Sequence, residues 1–256
     1  MAEDLRQLDK WVRTDQWPHV GCPVCEVGHL ASDGITAVDS TLAAWIYDQN
    51  GDPLDLAGTF HGVLRCATHS CRETVTVAGD YKVDADATDD GGSDFFAFFR
   101  LRFALPSLKI ILPPARTPKP VMDAIDCAAT IIWADPSAAA NRLRFAIDEL
   151  LTAHRVPRFR NSKGQRTRLT THNRIKEFRN HEPTAADALE AVKWIGNQGS
   201  HEAGLTATDV LDGADLLSHA LKILYDSTER EMRRRIRAVN RRRGLPRNRG
   251  NISAAS

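Results

Sequence analysis

Apolar residues recur at helical spacing through the C-terminal half of the chain and in short strand-like runs through the N-terminal half. Leu143, Ala146, Ile147, Leu150 and Leu151 form one stripe, which predicts a helix with Asn141, Arg142, Arg144 and Glu149 on its polar side. Asp135-Pro136 opens that helix, Asp as cap and Pro in the first turn. Helices are also predicted over residues 121–133, 170–178 and 183–195. Leu217, Leu221, Leu224, Met232, Ile236 and Val239 extend one stripe, read as a single long helix reaching about Asn240 and ended by Gly244 and Pro246.

Upstream, a short helix is expected around Leu5, Leu8 and Trp11, ending near Trp17-Pro18. Residues 35–38, 42–47, 62–65, 74–78 and 95–103 read as strands, with Asn50-Gly51 as a turn signal. The Asp-rich piece before Phe95 reads as a solvated loop, without the ligand pattern of a calcium loop. Pro113, Pro114, Pro118 and Pro120 mark a linker, so the expected division is 1–112, 113–240 and a basic flexible tail over 241–256.

Charge changes this picture more than composition does. The net charge is +1, yet residues 226–256 hold ten Arg against three acids, leaving the rest of the chain at −6. Arg155, Arg158, Arg160, Lys163, Arg166 and Arg168 form a second basic run without an acid. Sorting of this kind points to a polyanionic partner, with Arg158, Arg160, Arg166, Arg168, Arg234, Arg237 and Arg241 as the candidate nucleic-acid contacts. Part of the terminal arginine run also suits a solvated helix end, where cations complement the dipole. No apolar run is long enough to span a membrane and the N-terminus has no apolar leader core, so a cytoplasmic location is expected.

Two cysteine pairs carry the most specific chemistry. Cys22-Pro-Val-Cys25 and Cys66-Ala-Thr-His-Ser-Cys71 flank a β-like segment, the arrangement of a structural zinc site with four thiolates. The second pair is wide, so His69 competes with Cys71 as the fourth ligand. A redox reading of Cys22 and Cys25 lacks a helix start after the motif. Cys127 reads as core.

Gly196 is expected to end the fourth helix in a left-handed C′ conformation, so that Asn197, Gly199 and Ser200 make a turn before His201. Thr206, Thr208 and Asp209 are the candidate caps of the next helix. At such a corner Asn197 and His201 either brace two helices or orient and protonate a ligand phosphate.

The proline linker, the segment Arg142-Leu-Arg-Phe-Ala-Ile-Asp-Glu-Leu150 and the run Trp194-Ile-Gly-Asn-Gln-Gly-Ser-His201 resemble the domain of unknown function 4145, over roughly residues 113–226. That family is similar to HEPN (higher eukaryotes and prokaryotes nucleotide-binding) helical domains found beside restriction and anti-phage proteins. The resemblance implies an α+β chain, with a small N-terminal zinc-ribbon-like β domain before an all-α HEPN-like helical bundle bearing a long terminal helix. It implies a nucleic-acid-binding module of a prokaryotic defence or restriction system. The alternatives are a metal-independent endoribonuclease and a protein-interaction adaptor. A homodimer through the helical domain and a defence-system partner protein are open expectations. His201 matches the catalytic His of HEPN ribonucleases, with Asn197 between it and the expected Arg. Positions 194–196 hold no Arg, which leaves Lys193 as the nearest cation.

Overall fold

Between Asp80 and Asp86 every second residue is charged and Tyr81, Val83 and Ala85 alternate with them, the period of a strand. That pattern is realised in the computed structural model, which describes residues 2–87, 92–162, 165–201 and 204–244. The Asp-rich piece is therefore largely paired sheet: β4 (Thr74–Ala87) runs antiparallel to β5 (Ser93–Leu105) along most of their length. Its carboxylates have cations to face. Asp80 accepts from Arg102 at 2.7 Å, Asp84 pairs with Lys82, and Asp86 lies 3.4 Å from Arg13.

The other strands are β1 (Val12–Arg13), β2 (Leu30–Asp39) and β3 (Ala57–Cys66), in the antiparallel order β1-β5-β4-β3-β2. Two short expectations change here. The first helix, α1 (Ala2–Gln7), stops before Trp11, and residues 42–47 lie in a helix, α2 (Thr41–Asn50), not a strand. Ser40 caps α2 by accepting from the Ala43 amide at 3.2 Å, and Gly51, at φ +69°, closes it with a bond to the Tyr47 carbonyl. Local capping thus overrides the apolar run between them.

The C-terminal half comprises α3 (Lys119–Ile131), α4 (Pro136–Ala153), a hairpin of β6 (Phe159–Ser162) and β7 (Gln165–Arg168), α5 (Thr171–Arg179), α6 (Pro183–His201), α7 (Ala207–Tyr225) and α8 (Ser227–Arg242). The expectation of an all-α bundle with one long terminal helix is therefore wrong on two counts. The basic run over 155–168 contains a two-stranded antiparallel hairpin, so the C-terminal half is not all-α. The long helix is broken at Asp226, whose backbone is extended and whose carboxylate accepts from the Thr228 amide at 2.8 Å to start α8 anew. Met232 and Ile236, read in one stripe with Leu217 and Leu224, are exposed on α8. The small zinc-ribbon-like domain is likewise replaced by a five-stranded sheet with strands of up to 14 residues.

Gly196 does not end α6. A Cβ there would meet the Ala140 carbonyl and Arg144 at 3.4 Å, so the glycine's role is close approach of α6 to α4. Among the described residues past the helix, Gly204 takes positive φ, at +106°. Buried side chains form one cluster that joins Phe60, Leu64 and Val77 of the sheet to Leu143, Leu150 and Leu217 of the helices. At its edge Arg6 of α1 bridges Asp212 and Asp215 of α7 at 2.5 and 2.7 Å, and Asp9 accepts from the amide and hydroxyl of Thr208.

Candidate metal centre and basic cleft

The segments before β2 and between β3 and β4 emerge at the same end of the sheet, because Leu30 and Cys66 are register partners. Each segment turns tightly after its second cysteine, at Glu26 (φ +58°) and Arg72 (φ +55°). The Cys66 amide donates to the Glu73 carbonyl at 2.8 Å and the Cys22 amide to the Gly28 carbonyl at 2.8 Å, which fixes both turns. As a result the sulfurs of Cys22, Cys25, Cys66 and Cys71 all lie within 4.8 Å of one another, and all four thiols are free. Cys22 Sγ is 3.9 Å from Cys71 Sγ, and Cys25 Sγ is 3.7 Å from Cys66 Sγ. The cluster is compatible with one metal ion. His69 is exposed and outside this group, so Cys71, not His69, is the second pair's other member of the cluster.

The backbone tunes these thiols unequally. Amides of Gly28 and Val27 aim at Cys25 and bring it down to about 6, whereas burial pushes Cys22 up. The Gly28 amide lies 3.4 Å from Cys25 Sγ. Gly28 must be glycine for space as well: a Cβ would fall 2.2 Å from Thr68 Oγ1 and 2.7 Å from Cys66 Sγ.

A second site lies in the C-terminal half. Arg144, Phe145, Asp148 and Glu149 of α4 face Arg158, Arg168 and the start of α5 across a cleft of about 420 Å³. Thr170 caps α5, accepting from the Asn173 amide at 3.3 Å, so the positive end of that helix dipole opens on the cleft. Arg174 is buried beneath it and ties α5 to α4. Its guanidinium donates to Asp148 Oδ1 at 2.9 Å, to Thr152 Oγ1 at 2.9 Å and to the Val156 carbonyl at 3.2 Å.

The cleft's cations are unequally compensated. Arg174 faces Asp148, and Arg158 faces Glu149 at 2.9 Å. Arg144 donates to the neutral amide of Asn197 at 3.2 Å, and Arg168 has no acidic partner among the described residues. Two positive charges therefore stay open to the cleft. A smaller neighbouring cavity of about 160 Å³ shares Arg144, Thr170 and Thr171 and adds His172, Lys193 and Asn197.

Hairpin register sorts the predicted arginines by face. Phe159 is opposite Arg168 and Asn161 opposite Arg166, so these four share one side, with the Arg166 guanidinium 4.1 Å from the Phe159 ring centre. Arg160 points to the other side and pairs with Glu177 of α5. Arg234 and Arg237 of α8 line a different cavity, of about 390 Å³, with His154, Glu182 and Tyr225, and Arg241 is exposed in the last turn of α8. The candidate nucleic-acid contacts named from the sequence are thus divided between two places.

The expected corner at residues 196–201 is a continuous helix, and the side chain of His201 lies outside the described residues. Asn197 does face the smaller cavity. Lys193 is buried, with Nζ 3.0 Å from His172 Nδ1, 3.4 Å from Glu190 and 3.6 Å from the centre of the Trp194 ring. Glu190 is held below the usual carboxylate range, first by the Arg179 guanidinium and then by Lys193. Arg144, His172 and the α5 N-terminus are the site features that sequence reading misses.

With this geometry in hand, comparison with known families gives two matches. Residues 126–242 match a domain of unknown function (DUF4145), and residues 10–104 match another domain of unknown function (DUF8608). The resemblance expected for the C-terminal half is therefore found. No curated protein and no solved structure matches the chain. Among the described residues no helix is long and apolar enough to cross a membrane.

Proposed function

We propose that the protein is a nucleic-acid-binding module whose phosphate site is the cleft between α4, the β6–β7 hairpin and the N-terminus of α5, with one structural zinc bound by Cys22, Cys25, Cys66 and Cys71. The observation that carries this reading is the convergence of Arg144 and Arg168, both without an acidic partner among the described residues, on a helix N-terminus. First-turn amides of a helix lack intrahelical partners and the dipole favours anions, so a phosphate is the ligand such a mouth suits. Zinc is supported by spacing. Four sulfurs held tetrahedrally at about 2.3 Å from the ion would stand about 3.8 Å apart, and two of the sulfur pairs stand 3.7 and 3.9 Å apart.

The ribonuclease and adaptor readings have less behind them. Lys193, the cation expected beside a reacting phosphate, is buried and engaged by His172, Glu190 and Trp194. The defence or restriction setting, and the kinship to HEPN domains, rest on the family resemblance alone. The test is a gel-shift titration with a labelled oligonucleotide in low salt. Wild-type protein should bind, and Arg144→Ala with Arg168→Ala should weaken binding at least about tenfold, since hydrogen bonds to charged groups contribute ~1.5–3 kcal/mol each. Undiminished binding by that double variant would refute the cleft, and no binding by wild type would favour an adaptor.

A further inference from the structure

Three exposed aromatic side chains lie in or next to the cleft and its adjoining cavity, each beside a cation. Phe145 follows Arg144 on α4 and lines the cleft itself, 49% exposed. Phe159 is the cross-strand partner of Arg168 and carries Arg166 on one face of its ring, 42% exposed. Trp194 lies over Lys193, which lines the adjoining cavity, and is 57% exposed. Two of the three rings have one face held by a cation, and in all three a large apolar surface meets solvent that a neighbouring phosphate site would share.

We infer that the cleft takes single-stranded nucleic acid, its phosphates on Arg144 and Arg168 and its bases stacked on Phe145, Phe159 and Trp194. The inference rests on the nucleic-acid reading above. A duplex keeps the faces of its bases inside its own stack and offers the protein phosphates and groove edges, so these rings would have nothing to lie against. A single strand exposes base faces at intervals along a charged backbone, and aromatic platforms interleaved with cations match that order. The remaining face of a ring already backed by a guanidinium or ammonium is the surface left for a base.

The experiment titrates full-length protein with a fluorescent single-stranded 12-nucleotide oligomer and with the same oligomer annealed to its complement, at one salt concentration. The single strand should bind at least about tenfold tighter. Phe145→Ala, Phe159→Ala and Trp194→Ala should each weaken it by about 5- to 150-fold and leave its salt dependence in place. Trp45→Ala, an exposed ring on α2 away from the cleft (61% exposed), should change nothing. Should Trp194→Ala melt early by circular dichroism, Phe145→Ala and Phe159→Ala decide the question alone. Equal affinity for both forms, or indifference to the aromatic variants, would overturn the single-strand inference and leave the cleft as a phosphate site. Failure of both forms to bind would overturn the underlying reading as well.

Discussion

The cysteine cluster and the basic cleft are built on opposite plans. At the cluster, four donors converge within 4.8 Å, two of them buried, and backbone amides complete the surroundings. Such a set faces inward and is compatible with a single ion. At the cleft, four arginines face a space of about 420 Å³, two matched by Asp148 and Glu149 and two unmatched. A set like that leaves positive charge open to the cleft. On the proposed reading the first holds the fold and the second presents charge, and each half of that proposal can be broken.

The largest effect belongs to the inward-facing site. Elemental analysis should find about one zinc per chain, lost in Cys22→Ser with Cys25→Ser. Metal binding to such sites is worth on the order of 10 kcal/mol and is coupled to folding. Calorimetry should accordingly show the cooperative unfolding transition of the sheet half abolished or shifted far down. His69→Ala should retain both metal and transition. A metal-free protein of equal stability would sink the structural-zinc proposal.

That site was also the more legible of the two. Its cysteines come as two pairs close in sequence, so spacing named all four and left only the choice between His69 and Cys71 for geometry to make. The cleft could not be read in this way. Arg144 and Asn197 are separated by 53 residues, and their meeting depends on Gly196 letting α6 close on α4, where sequence reading took that glycine for a helix end. The helices over 121–133, 170–178 and after Asp135-Pro136 were visible because their stripes and caps are local. The hairpin was not, since a run of exposed arginines and threonines has no apolar alternation to mark strand pairing. Likewise the stripe through Met232 continued past a break that a single capping carboxylate, Asp226, decides.

A middling effect tests whether the compensated arginines are structural. Arg174→Ala removes the guanidinium that joins Asp148, Thr152 and Val156 to α5. It should cost about 3 kcal/mol, the low end for a broken buried pair because Asp148 keeps some solvent. Denaturant titration should register that loss, whereas Arg168→Ala should stay within about 0.5 kcal/mol of wild type, as exposed substitutions do. Equal losses at the two positions would erase the proposed division of labour.

The most direct measurement of the central claim is the salt dependence of binding to a single-stranded oligomer. Removing one cation from a phosphate should flatten the slope of log affinity against log salt by ~0.7. For Arg144→Ala with Arg168→Ala the expected change is therefore about 1.4. Arg160→Ala, which removes a side chain on the far face of the hairpin paired to Glu177, should leave the slope where it was. A slope that falls with Arg160→Ala and holds in the double variant would contradict the assignment of the cleft as the phosphate site.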